Sequence, residues 1–254
     1  MKIKTFLINL DSSEERLAAA SKQLNSAQWK FDRYSAYDGR GKKLEDFSHY
    51  DDKTAQKILG RSMLNSELGC YLSHYGCVES FLETDADYLV VLEDDLKITP
   101  EFGTILEGII DCLQSLDHSD WYLLNIAAKN KKITKEIARV KGHAVVHAYY
   151  FPIRGLGLVW NRKGAQEFLN LGKNANVPVD IFFQNWLSRN GKGLSVWPAL
   201  VKPAGLDSDI LGTVAKDGVR RKEKEQRDFS FFWKKQKRIL INKIFALLFL
   251  IKSF

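Results

Sequence analysis

Three consecutive carboxylates, Glu93-Asp94-Asp95, end an apolar run, Tyr88-Leu89-Val90-Val91-Leu92. Neighbouring negative charges repel one another unless a cation or solvent relieves them. Hard oxygen donors of this kind suit Mg²⁺ or Mn²⁺, and such an ion can bridge phosphates. An inert, solvated acidic loop has the same composition. What favours the cation is the position of the trio at a strand end. Asp11 and Asp38 follow two other expected strands in the same way.

The elements that must hold these acids can be read from pattern. Tyr88 to Leu92 is continuous and apolar, as in a central strand covered on both faces. Lys4 to Leu10 reads as a first buried strand, and Ser12 or Ser13 can cap a helix reaching about Ser26. Trp29 to Ser35 reads as a second strand, followed by a turn at Asp38-Gly39-Arg40-Gly41. A short helix is expected near Thr54 to Leu59, and a longer one from Ser66 to about Leu82. Pro100 opens a helix to about Leu116. Strands are expected at Trp121–Ile126, His143–Pro152, Leu156–Trp160 and Leu194–Pro198. Helices are expected at Lys163–Leu171 and from Asp180 to Arg189, where Asn190-Gly191 stops the chain. Residues 40–65 and 127–142 read mainly as loops. The alternation predicts one α/β domain, a mostly parallel central sheet flanked by helices. In such sheets ligands bind beyond the carboxyl ends of the strands.

Four segments then occur in order: Phe6-Leu7-Ile8-Asn9-Leu10-Asp11 with Glu15-Arg16, Ala36-Tyr37-Asp38-Gly39, Glu67-Leu68-Gly69-Cys70-Tyr71-Leu72-Ser73-His74, and Leu92-Glu93-Asp94-Asp95. Each is weak alone; together, over about residues 3 to 212, they resemble glycosyltransferase family 25, which includes lipooligosaccharide galactosyltransferases of Gram-negative bacteria. The resemblance implies a GT-A-like fold and a nucleotide-sugar donor, UDP-galactose first and UDP-glucose or another UDP-sugar as the alternative. It also implies inverting transfer to a glycan acceptor. It assigns Asp95 to Mn²⁺ or Mg²⁺ and Glu93 to the ribose or donor sugar. Asn9, Asp11, Arg16, Asp38 and Gly39 would line the nucleoside pocket, with Asp94, Ser73 and His74 beside the donor. A late histidine that ligates the metal in some GT-A enzymes has no counterpart after His147, so a further protein ligand stays open.

The chemistry fits that division of labour. Sugar transfer passes through an oxocarbenium-like state. The departing nucleoside diphosphate gathers negative charge that a cation can meet. Inversion needs one carboxylate base opposite the leaving group. Asp180, at an expected helix start, is the candidate base; capping its own helix is the alternative. A helix N-terminus lowers a carboxyl pKa, which counts against a strong base. His74 is a donor contact or a core hydrogen-bonding residue. Gly155 in Arg154-Gly155-Leu156-Gly157 would let backbone approach the sugar. Ser208, after the last expected strand, could reach the diphosphate. His143 and His147 read as structural, and Cys70 and Cys77 as core thiols sharing a helix face.

Charge divides the chain. Arg220 to Phe254 holds eleven basic and three acidic residues, while the first 219 residues hold 27 basic and 28 acidic ones. The domain is thus expected to span residues 1–219, with residues 220–254 a basic amphipathic tail. Phe229, Phe231, Phe232 and Trp233 precede a basic collar and the stretch Ile239 to Ile251, interrupted by Lys243. Ile244 to Ile251 is too short to span a bilayer, so an interfacial helix on an anionic inner-membrane surface is expected, near a lipid-linked acceptor. Packing on the domain is the alternative. The apolar N-terminal stretch stops at Asp11, and the three cysteines make no paired framework. Both features predict a cytoplasmic protein held peripherally on the inner face of the bacterial inner membrane. Two other classes compete: a non-catalytic membrane-associated glycan- or nucleotide-binding module, and a nucleic-acid binder, which the neutral body and apolar tail end argue against.

Overall fold

The computed structural model describes residues 1–115, 120–205 and 229–253. In chain order the elements are β1 (Ile3–Asn9), α1 (Glu14–Ser26), β2 (Asp32–Ser35), α2 (Asp52–Leu59), α3 (Asn65–Leu82), β3 (Tyr88–Glu93), β4 (Leu96–Ile98), α4 (Phe102–Ser115) and β5 (Leu123–Asn125). There follow β6 (Thr134–Val140), β7 (His143–Ala148), β8 (Gly157–Asn161), α5 (Arg162–Leu171), α6 (Val179–Asn190), β9 (Gly193–Trp197), β10 (Val201–Pro203) and α7 (Phe229–Lys252).

Eight strands form one sheet in the order β2-β1-β3-β8-β5-β9-β7-β6. Pairing directions leave β7 and β8 reversed and the other six aligned, so the sheet is mostly parallel as expected. Side chains alternate across it, as strand geometry requires. Leu89 and Val91 enter a core with α3, α5 and α6, while Val90 and Leu92 enter a second core with α1 and α4. Each fully buried Leu or Val contributes about 1.5–3 kcal/mol, which is why the central run tolerates no polar residue before Glu93. This is the GT-A-like α/β architecture that the motif resemblance implies.

Three strands were not legible. β6 lies at the sheet edge and carries Lys135, Glu136 and Arg139, so its alternation is masked by charge. It pairs with β7 through a tight turn in which Lys141 (φ 44°) and Gly142 (φ 84°) are both left-handed. That geometry is the favoured hairpin turn, here without the Asn-Gly signature. β4 and β10 form a separate antiparallel ribbon, with Ile98 opposite Val201. Ala204 N donates to Asp95 O at 2.7 Å, so the ribbon fixes the backbone after the acidic trio.

The basic tail helix α7 lies against the body. Asn242 and Ala246 are buried, and Asn242 Nδ2 donates to Asn185 Oδ1 of α6 at 2.7 Å. A Cβ on Gly60 would sit 2.7 Å from the Phe231 Cα, so the helix start rests on a position with no room for a side chain. The opposite face leaves Trp233 64%, Leu240 60% and Ile251 68% exposed.

Candidate active site

The aligned strands β1, β2 and β3 end on the same sheet edge, which brings Asn9, Ser35 and Glu93 together. β8 runs the other way, so it begins there, with Gly157 opposite Leu92 and Glu93 N donating to Leu156 O at 3.1 Å. α6 leads into β9, which starts at the opposite edge; its N-terminus, with Asp180, therefore returns to the site edge. A cleft opens there, lined by Asn9, Arg16, Asp38, Cys70, Glu93 and Asp95 among others.

Two expected motifs build the cleft wall by backbone contact. A Cβ on Gly69 would lie 2.5 Å from Tyr37 O, and one on Gly39 would lie 2.1 Å from Asn65 O. Only glycine lets the 36–39 loop meet the start of α3 this closely. Ser73 Oγ donates to Gly69 O at 2.7 Å and accepts from Tyr37 N at 2.9 Å, so it ties the loop to α3. Glu67 takes a doubled hydrogen bond from Arg61, at 2.6 and 2.8 Å, and caps α3 through Leu64 N.

The acidic trio divides into different roles. Asp94 is buried, ion-paired with Arg16, and accepts from Asn9 Nδ2 at 2.7 Å. Asn9 also donates to Ser13 O and accepts from Arg33. These three expected donor contacts form a latch between β1, α1 and the turn after β3. Asp95 Oδ1, in contrast, is shut from solvent with no hydrogen-bond partner among the described residues. Burial, then the Glu93 charge, pushes the Asp95 carboxyl up to about 6, with Arg16 opposing. An orphaned carboxylate oxygen beside a second carboxylate fits a divalent cation.

Glu93 Oε1 lies 3.0 Å from Nε2 of the buried His74 and 3.8 Å from Cys70 Sγ. The three ligand-type atoms lie within 4.8 Å of one another. Cys70 thus faces the cleft rather than the core, unlike Cys77, which is fully buried. The signal was available: Cys70 and His74 stand four apart on one helix face. A Cβ on Gly155 would sit 2.9 Å from Glu93 Oε1 and 3.1 Å from His74 Nε2, so this glycine closes against that pair.

Other expected residues lie further out. Asp11 is exposed, ion-paired with Arg33 and bonded by Ser35, which hold its carboxyl below the usual range. Asp38 lines the cleft but is gripped by Arg40, which also reaches Ser12 Oγ at 2.7 Å; sequence reasoning missed Arg40. Ser208 lies outside the described residues. His143 Nδ1 meets Pro198 O at 2.7 Å and His147 stacks on Tyr149, away from the cleft.

Asp180 is half-buried and close enough to Glu93 and Glu67 for their charges to act on it. Burial, helped by those charges, pushes its carboxyl up to about 6, the reverse of the lowering expected from the helix end. Its Oδ1 accepts from Ile181 N at 2.7 Å, which opposes the shift without overcoming it.

Residues 2–183 match the sequence profile of glycosyltransferase family 25, described as an LPS biosynthesis protein. Procollagen galactosyltransferase 1-B of Xenopus laevis is 26% identical over 226 residues, covering 81% of this chain and 36% of that protein. A glycosyltransferase 25 family member of Anopheles gambiae is 27% identical over 247 residues, covering 87% of this chain and 41% of that protein. The chain therefore spans about two fifths or less of these relatives. Among solved structures, a glycosyltransferase involved in glycosylation of the PBCV-1 major capsid superposes with a TM-score of 0.44 at 10% identity, covering 82% of this chain and 95% of that one. Galactosyltransferase LgtC with donor and acceptor sugar analogues superposes with a TM-score of 0.39 at 15% identity, covering 87% of this chain and 94% of that one. With the motifs in order along the cleft wall and more than half of its length matched, the chain belongs to glycosyltransferase family 25.

Proposed function

We propose that this chain is an inverting, metal-assisted hexosyltransferase that moves galactose from UDP-galactose to a lipooligosaccharide or lipopolysaccharide glycan. The observation that carries the reading is Asp95 Oδ1, buried without a hydrogen-bond partner among the described residues, beside Glu93 in the cleft that the family motifs line. The family's description supports a lipopolysaccharide acceptor, and the relatives named galactosyltransferases support galactose. UDP-glucose or another UDP-sugar is the alternative donor.

Asp95, with Glu93, would hold Mn²⁺ or Mg²⁺, which supplies positive charge to the diphosphate leaving group. Asp38, Gly39 and Arg40 form the opposite wall, where a nucleoside would lie. Gly155 lets its backbone close against His74 and Glu93, the pair that would sit beside the donor sugar. Asp180 takes the proton from the acceptor hydroxyl. Ionised at neutral pH yet basic through its pKa of about 6, it meets both requirements of a general base.

Among the described residues, no helix is long and apolar enough to cross a membrane. The exposed aromatic and aliphatic face of α7, flanked by Lys234, Lys235 and Lys237, suits the surface of an anionic bilayer. This reading places the enzyme peripherally on the cytoplasmic face of the bacterial inner membrane, where a lipid-linked acceptor would be met.

The test is turnover of a panel of UDP-sugars with Mn²⁺, comparing the unaltered chain with Asp95→Ala. One hexose donor should be consumed, EDTA should stop the reaction, and Asp95→Ala should lower turnover by about 100-fold or more. Absence of metal-stimulated turnover with every donor, with or without glycan acceptor, would sink the enzyme reading.

A further inference from the structure

We propose that Arg238 of α7 forms a subsite for an anionic group, a phosphate or carboxylate, carried by the acceptor sugar. The proposal rests on the reading of Asp180 as the acceptor-side base.

The rotation of α7 is fixed at both ends. Lys234 Nζ donates to Gln56 O at 2.9 Å, and four residues past Arg238, Asn242 Oδ1 accepts from Arg189 Nε at 3.1 Å. Lys234, Arg238, Asn242 and Ala246 are spaced four apart, so they share one helix face, and that face meets the body. Arg238 is therefore directed inward, away from the apolar face left open to a membrane. Its Nε is shut from solvent and no described residue accepts from it. Burying a guanidinium without an acceptor costs free energy that a ligand anion would recover.

The charges around it point the same way. Burial pushes the Arg238 pKa down, the Tyr150 and Asp180 charges push it up, and the like charges of Arg61 and Arg189 push it down further. Arg61 is already bound to Glu67 and Ser62 O, and Arg189 to Asn242. Two further positive charges thus stand behind Arg238, whose Nε has no acceptor among the described residues. A planar fork of this kind matches phosphate and carboxylate oxygens. The donor diphosphate would meet its metal at Asp95 and Glu93, in a cleft that Arg238 does not line. An anion beside Asp180 therefore belongs to the molecule that gives up the hydroxyl proton.

The experiment titrates glucose 6-phosphate and glucose, read by calorimetry and ligand NMR, into the full chain with UDP and Mn²⁺ at saturation. Arg238→Ala should weaken glucose 6-phosphate by about tenfold or more, leave glucose unchanged, and be partly rescued by Arg238→Lys. Asp180→Asn should tighten glucose 6-phosphate, because it removes a repelling charge. Unchanged glucose 6-phosphate binding in Arg238→Ala would overturn the proposal, as would an equal loss for glucose. So would a loss confined to phosphatidylglycerol vesicles, which would make Arg238 part of the lipid collar. If UDP does not bind, the donor reading fails, yet the Arg238 comparison can still be made without it.

Discussion

Two carboxylate regions meet at the end of β3 and solve the same electrostatic problem in opposite ways. At Asp94 the carboxylate is answered by the protein: Arg16 pairs with it, Asn9 donates to it, and Ser13 and Arg33 hold Asn9 in turn. From Asp95 past Glu93 to Asp180, negative charges face one another, two carboxyl pKa values rise to about 6, and a buried oxygen lacks a partner among the described residues. A satisfied buried network stabilises a fold. An unsatisfied one is a destabilised arrangement that persists where a ligand or a reaction completes it. Asp94 therefore holds structure, and the proposed function gives the chemistry to its neighbour Asp95, although sequence makes them look alike.

Paired substitutions can break that contrast. Asp94→Ala should cost about 3 kcal/mol of stability, because it strands the buried Arg16, whereas Asp95→Ala should leave the thermal midpoint unchanged or higher while turnover collapses. Calorimetry of both variants checks this; equal loss of stability would erase the distinction.

Asp180→Asn should lower kcat by about 10²- to 10⁴-fold and remove the acidic limb of the pH profile. In the unaltered chain the rate should fall as pH drops through about 6, since the base becomes protonated. The stability effect has the opposite sign. A folded-state pKa raised from 3.8 to about 6 means that ionisation costs stability as pH rises through that interval. Asp180→Asn should therefore be more stable than the parent at pH 7 to 8 and no different below about pH 4, as denaturant titrations at the two pH values would show.

The two faces of α7 allow smaller tests. Asn242→Ala leaves Asn185 and Arg189 without a partner and should cost about 1–3 kcal/mol, read as a lowered midpoint. Changing Trp233 and Leu240 together to Ser should weaken sedimentation with phosphatidylglycerol vesicles by about tenfold and leave the midpoint within about 0.5 kcal/mol. A large stability loss would show that this face, too, is packed.

The central strand, the helix over Asn65–Leu82 and the glycines of the cleft wall were legible because each rests on local pattern: a continuous apolar run, capping residues, small residues beside acids. The edge strand β6 was not, because its exposed charges hide the alternation. Arg40 went unassigned and Cys70 was read as a core thiol, because nothing local distinguishes a cleft residue from a surface or core one. Asp180 was singled out by its position at a helix start, but its pKa shift came out opposite in sign. The helix end acts through one short backbone bond, while burial and two carboxylates from α3 and β3 act together.

By itself the sequence determined most of the strands and helices in their order, the acidic strand end, the four motifs and the concentration of positive charge in the last 35 residues. These are properties of neighbours along the chain, where periodicity and residue type carry the information. The tertiary structure decided which of two adjacent aspartates is latched, that Cys70 turns to the cleft, and that α7 brings Arg238 towards Asp180 across 58 positions of sequence. Burial and long-range charge set those outcomes, and neither is defined until the sheet has closed and the helices have packed on it.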